Sequence, residues 1–286
     1  MKSRTILTVL AVSVVASLAC TITIPTKRYH IGPTETKEIE VPLPEEGGAA
    51  DVSLTFAAGR LNVSSGAEDF LIQGKARYNV EELEPRVLID GEDVRIEQGD
   101  LEDVGIPTLN AGDLENSWSL ELADVPMSLE IHAGAYEGEF ELGGLSLTDL
   151  DIQDGASRAE LSFDRPNKVE MRSLRYQTGA SSVSMTGLAN ANFSRLDFGG
   201  GVGDYLLDFS GELKRDARVT INSGVSSVTL VVPEGVDARV TFEGALTDVD
   251  LSGEWKIEGG DYVQEGEGPT LTIVITMAAG SVRLGN

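Results

Sequence analysis

The sequence predicts an all-β fold: a β-solenoid, or parallel β-helix-like stack of short strands with glycine turns, carrying a β-hairpin insertion near each end. Three observations predict it. An apolar residue followed by a glycine recurs eight times, at Gly59, Gly134, Gly155, Gly179, Gly201, Gly224, Gly244 and Gly280. The spacing is three residues in seven copies; in the Gly244 copy the apolar residue is Phe242. From Gly134 to Gly244 the steps are 21, 24, 22, 23 and 20 residues, and a fixed period in the twenties marks a stacked architecture. Around the glycines, apolar and polar residues alternate with period two, the pattern of a sheet with one buried face. Helical periodicity of useful length is absent after the first 19 residues.

Residues 1–19 read as a signal peptide, with Lys2 and Arg4 before an apolar stretch from Ile6 to Leu18. The stretch is too short and too interrupted for a membrane span. Two processing routes fit Ser17-Leu-Ala-Cys20. One is cleavage after Ala19, at a small-x-small site. The other is a lipoprotein signal in which Cys20 is acylated, with Ser17 where such signals usually carry leucine. Cys20 is the only cysteine in the chain and stands where a lipid anchor needs it. Cys20 is therefore the expected lipidation site. The expected location is the bacterial cell envelope, exported and lipid-anchored on the extracytoplasmic face. Residues 20–36, rich in Thr and Pro, read as a tether. Residues 37–286 read as a single β-solenoid domain, with 128–286 holding the most regular repeats.

Within that domain Glu38-Ile-Glu-Val-Pro-Leu43 alternates and predicts a first strand. Val52, Leu54 and Phe56 share one face of a second, which turns at Gly59 and resumes with Leu61 and Val63. Val87-Leu-Ile89, Asp90-Gly91 and Val94-Arg-Ile96 predict a hairpin with an Asp-Gly turn. Residues 97–115 read as an acidic loop before a strand at Trp118–Leu122. Five regular units follow, each a strand, a glycine turn and a strand. Leu129 and Ile131 lead into Gly134, Leu150 and Ile152 into Gly155, Leu174 and Tyr176 into Gly179, Leu196 and Phe198 into Gly201, and Val219 and Ile221 into Gly224. Glycine is expected at each turn because it accepts positive φ and has no side chain to meet the next rung. The Gly59 and Gly280 copies place their apolar residues differently and read as capping rungs. Trp255-Lys-Ile and Tyr262-Val around Gly259-Gly260 predict the second hairpin.

Together these features resemble the bacterial toast-rack β-solenoid family, and the related C-terminal domain of cell-wall-stress response proteins. The resemblance rests on Leu54-Thr-Phe-Ala-Ala-Gly-Arg-Leu61, Leu129-Glu-Ile-His-Ala-Gly-Ala135, the segment from Gly144 to Ala156, and Pro269 to Gly280. It implies an exported or membrane-tethered protein of repeated short strands. It implies no shared catalytic residue.

Charge bounds the partners. The formal net charge is −25, and removing Lys2 and Arg4 with the signal peptide leaves 20 basic against 47 acidic residues, a net of −27. Such a surface repels nucleic acid, so no nucleic-acid partner is expected. No catalytic residue, cofactor or metal site is expected either. His30 falls in the tether and His132 in an outward slot beside the first internal turn. No Cys–His pair, phosphate loop or nucleophile elbow is present. Gly199 to Gly203 is glycine-rich but lies between two strands rather than before a helix. Asp149/Asp151 and Asp248/Asp250 read as solvent-facing charge, with calcium as the alternative. Tyr136, Tyr205, Trp255 and Tyr262 are candidate exposed platforms for sugar stacking.

The expected function is a non-enzymatic, envelope-anchored lipoprotein acting as an adhesin-like binding or envelope-stress-sensing module. Its partners would be the membrane, through the lipid anchor, and an envelope protein or cell-wall polymer. The alternative is a carbohydrate-active enzyme, a polysaccharide lyase or hydrolase on a β-helix. Arg165, Lys168, Arg172 and Arg175 would then line its cleft.

Overall fold

The computed structural model describes residues 30–45, 48–98, 114–244 and 248–286. Sixteen strands make up most of it, and the only helical elements among the described residues are two short 3-10 turns. In chain order the strands are β1 (Glu35–Pro42), β2 (Ala50–Ala67), β3 (Phe70–Tyr78), β4 (Pro85–Asp90), β5 (Asp93–Gln98), β6 (Asn116–Ala123), β7 (Pro126–Glu141) and β8 (Ser146–Ser162). They continue as β9 (Met171–Thr186), β10 (Phe193–Asp208), β11 (Ala217–Val231), β12 (Asp237–Gly244), β13 (Asp248–Leu251), β14 (Lys256–Glu258), β15 (Asp261–Gln264) and β16 (Thr270–Gly285).

Seven long strands, β2, β7, β8, β9, β10, β11 and β16, pair in parallel as successive rungs. Their length and their links dictate a coil. The 16 residues of β7 would run about 50 Å if straight. Four residues, 142–145, join it to β8, and such a link reaches about 17 Å. Yet Pro126 pairs with Ser146 and Glu141 with Ser162. Each long strand must therefore fold back on itself, and it does so near its middle.

Folding back sets two inward faces against each other. On one, Leu54, Ile131, Ile152, Tyr176, Phe198, Ile221 and Ile275 align across the rungs. On the other, Val63, Phe140, Leu161, Met185, Leu207, Leu230 and Leu284 do the same, and every one of these fourteen is at most 1% exposed. The alternation in the sequence is the alternation of these ladders with solvent-facing Asp, Arg, Ser and Thr. Away from the fold-back, buried asparagines tie the links. Asn167 is fully buried, accepts from Leu147 N and donates to Leu147 O, each at 2.8 Å.

Both predicted hairpins form. β4 and β5 pair antiparallel through Gly91 at φ 64°, and β14 and β15 through Gly259 and Gly260 at φ 64° and 100°. The first covers one half of β2, since β5 pairs with Asp51–Thr55. β6 covers the other half, and β3 and β1 extend the sheet antiparallel from it. At the fold-back of β2, where no further rung follows, side chains take over the ladder's hydrogen bonds. Ala57 N donates to Gln98 Oε1 at 2.8 Å, and Asn116 Nδ2 donates to Ala58 O.

One expectation is overturned here. The step of 20 residues from Gly224 to Gly244 suggests neighbouring rungs, but β12 does not pair with β11. β16 lies between them, pairing with β11 on one side and with β12 and β13 on the other. Spacing along the chain records the length of a coil, not the identity of its neighbour.

Candidate functional site

The fold-back is the part of the molecule where backbone, hydroxyls and exposed surface converge. Gly134, Gly155, Gly179, Gly201 and Gly224 fall in register there, one above another. Their role is close approach. A Cβ on Gly179 would lie 2.4 Å from Gly155 O, on Gly201 2.3 Å from Gly179 O, and on Gly224 2.5 Å from Gly201 O. None of the five has the positive φ that a left-handed turn would need, which corrects half of the reason given for them. The end rungs are also corrected. Gly59 and Gly280 do not join this column; Ala57 and Ala278 hold it there. In these rungs the tight approach sits two residues later, at φ 123° and 136°, where a Cβ would meet Asn116 O and Ser226 O at 2.0 and 1.8 Å. Gly244 pairs with Met277, one residue short of the column.

Inside the corner a second pattern repeats. The residues just before and two after the glycine both point inward, and in three rungs they are hydroxyl or carboxyl groups that bond across the bend. Ser157 Oγ donates to Asp154 Oδ2 at 3.1 Å, Thr178 and Ser181 share a bond of 2.5 Å, and Ser223 and Ser226 share another. These clasps close Asp-Gly-Ala-Ser, Thr-Gly-Ala-Ser and Ser-Gly-Val-Ser. β10 has Gly200 and Gly203 instead, and the Tyr205 ring fills the space. Asp154 also gathers donors from other rungs. Tyr176 Oη reaches its Oδ2 at 2.8 Å and Tyr136 Oη at 3.2 Å, while Thr178 and Ser181 reach Oδ1 at 2.5 and 3.4 Å.

Burial, and next the Asp154 charge, hold the Tyr136 phenol well above its ordinary value. Burial and then Tyr136 and Asp154 do the same for Tyr176, and burial with Asp154 and Asp204 raises the Tyr205 phenol. The folded-state values are raised, so this contribution to stability is full below the unfolded value of about 10 and is lost as pH rises toward the folded ones. Alkaline titration should therefore show these tyrosines ionising only with unfolding, as a late cooperative rise in tyrosinate absorbance. A smooth titration of every tyrosine near its ordinary value, with the fold intact, would contradict the arrangement.

Outside the corner runs a shallow groove of about 540 Å³, crossing from β8 to β16. Gln153, Gln177, Asn222 and Thr276 line it with Asp154, Thr178 and Ser223, and Gly199 and Gly200 leave its centre without side chains. Beside it an apolar ridge follows the glycine column: Ala135, Ala156, Ala180, Val202, Val225 and Ala279 align, with Val202 58% and Val225 56% exposed.

The other residues singled out from sequence do not converge. His132 faces outward and contacts Glu130 Oε1 at 2.8 Å, and His30 is exposed. Asp149 accepts from Arg172 at 2.5 Å, Asp250 lies 3.8 Å from Arg283, and Asp151 accepts from Gln153. Among the described residues no group of three or more His, Cys, Asp or Glu is placed to hold a metal ion. Three of the four basic residues are neutralised: Lys168 by Asp124, Arg172 by Asp149, and Arg165 by Asp164 at 3.5 Å. Tyr136 and Tyr205 are buried and not available for stacking, and Trp255 and Tyr262 pack partly against the core. Cys20 lies outside the described residues. The clasps and the Asp154 cluster were missed. Their signal, a hydroxyl or carboxyl residue before the glycine and a serine two after it, is present in three repeats.

A candidate cell adhesion protein from Clostridium sporogenes is similar in structure, with a TM-score of 0.44 at 22% identity over 88% of this chain and 99% of that one. A candidate adhesin from Bacteroides fragilis gives 0.32 at 9% identity over 91% and 98%. A candidate lipid-binding protein from Parabacteroides distasonis gives 0.30 at 9% identity over 87% and 96%. No curated protein matches the chain. The family described as the N-terminal domain of toast_rack matches residues 30–184 and, in a second overlapping copy, 166–231. The matched span is well over half of the sequence, and the chain belongs to the toast_rack N-terminal domain family.

Proposed function

We propose that this protein is a non-enzymatic, envelope-anchored binding module of adhesin-like or envelope-stress-sensing type. Its anchor is an acyl chain on Cys20 and its binding surface is the outer side of the glycine corner. The observation that carries the reading is the contrast between that corner and the rest of the coil. Elsewhere many outward cations and carboxylates neutralise one another in exposed pairs. At the corner the surface is a groove of amides and hydroxyls beside an apolar ridge, which is recognition chemistry rather than proton transfer. Asp154 is the carboxylate at that groove, and both its oxygens already accept from hydroxyls. A general acid or base needs a free lone pair and reach to its substrate. The enzyme alternative loses its motive with the neutralised basic cluster.

Two experiments test the reading. Cys20→Ser should move the protein from the membrane to the soluble exported fraction, because a single stem of polar tether gives no other hold; equal partitioning of both forms would remove the anchor. The purified full-length protein should leave uronate-containing and peptidoglycan polymers intact. Turnover that disappears with one Asp or Glu substitution would establish an enzyme instead.

A further inference from the structure

We infer that the corner groove binds an uncharged, polyhydroxylated chain, a neutral glycan segment lying across the rungs from β8 to β16. The inference rests on the binding-module reading and adds the ligand class and its place. Charge is the first argument. The six corner positions of β9, β10, β11 and β16 are 177–182, 199–204, 222–227 and 276–281. These 24 positions hold one charged side chain, Asp204, and the matching β8 positions 153–158 add Asp154 and Arg158, so three of 30 are charged in a chain of which 24% is charged. An anionic polymer would be repelled by the net charge of −25. A cationic partner would settle on the acidic faces rather than on this charge-poor strip. A neutral ligand is the class that this strip suits.

Donor and acceptor chemistry is the second argument. Gln153, Gln177 and Asn222 each present both a donor and an acceptor, as does the hydroxyl of Thr276, whereas Thr178 and Ser223 are engaged in their clasps. Sugar hydroxyls also donate and accept, so such a row can bond them in either sense. The rungs repeat at about 4.8 Å, which gives the groove a length of about 19 Å over four intervals. That suits a short oligosaccharide. Val202 and Val225 stand exposed on the ridge, on the far side of the glycine column.

The third argument is the rung that breaks the clasp pattern. β8, β9 and β11 close the corner with their own polar pairs, whereas β10 carries Gly200 and Gly203. Tyr205 is 2% exposed there, and its hydroxyl has no hydrogen-bond partner among the described residues. It lies directly against the groove: a Cβ on Gly200, which lines it, would sit 2.7 Å from that oxygen. Buried hydroxyls are normally satisfied, and this one lies behind the Gly200 backbone, on the inner side of the groove floor.

The test uses full-length protein in detergent and a panel of neutral chito-, cello- and malto-oligosaccharides, with polygalacturonate as the anionic comparator. At least one neutral oligosaccharide should bind, with affinity unchanged between low and high salt. Gln177→Ala and Asn222→Ala should each weaken it roughly tenfold while leaving the melting temperature in place. Tyr205→Phe should raise the melting temperature of the free protein, because it removes a buried hydroxyl without a partner among the described residues. Preference for polygalacturonate, or full affinity in both amide variants, would overturn the assignment. If no panel member binds but the protein still adheres to purified envelopes, the glycan groove is wrong and the module stands. Failure on envelopes as well would remove both.

Discussion

Gly179→Val is expected to destabilise the fold by about 1–3 kcal/mol, through crowding alone. Its Cβ would be placed 2.4 Å from Gly155 O, an atom of the neighbouring rung's backbone that cannot swing aside. The rungs on both sides are held by continuous parallel pairing, from Asp149↔Ser173 to Ser162↔Thr186 on one face alone. Relief must therefore come from prising rungs apart, and valine adds two methyl groups to that demand. The measurement is the urea midpoint at constant slope. Gly285→Ala is the control, because its Cβ would meet nothing nearer than Ser252 Cβ at 3.6 Å. A Gly179→Val protein as stable as that control would mean the column is not closely packed.

Asp154→Ala should cost about 2–5 kcal/mol, the summed penalty of orphaned buried donors. Tyr136 and Tyr176 are 6% and 0% exposed, and both direct their hydroxyls at the Asp154 carboxylate. Truncation removes the acceptor that the two phenols share and leaves them facing a methyl group. Asp154→Asn keeps one carbonyl oxygen and should cost less than the alanine change. Equal stability of wild type and Asp154→Ala in denaturant would show that the hydroxyls find other partners.

Much of the coil is readable before folding because its rule is local. Period two within a strand fixes which of Leu150, Asp151 and Ile152 face inward, and no neighbour can change that parity. The five internal glycines are readable for the same reason: each rung meets the next in the same way. The two ends are not, since the close approach there is made against Asn116 and Ser226, and nothing near Gly59 or Gly280 in sequence announces them. Phe56-Ala-Ala-Gly59 imitates the internal pattern while sitting two residues out of phase with it. The insertion of β16 is hidden for a deeper reason. Ile273 and Ile275 would suit a place beside β11 or outside β12 equally well, and only three-dimensional pairing chooses. At the site, the bend itself misleads. Tyr136 looks solvent-facing when parity is continued from Ile131 through Gly134, but the chain turns there and the phenol ends inside, on Asp154.

The placement of β16 has a consequence for how the chain is made. Synthesis delivers the N-terminus first, and domains tend to assemble in that order. Here the rungs from β2 to β11 can accumulate as they emerge, each on the last. β12 to β15 emerge next and have nowhere to dock, because their place is defined by a strand that has not yet arrived. Until residues 270–285 follow, the free side of β11 remains an unpaired parallel edge, a template for any extended chain nearby. The last strand thus acts as a keystone. It closes the edge of the stack and at the same moment creates the surface on which its predecessors settle.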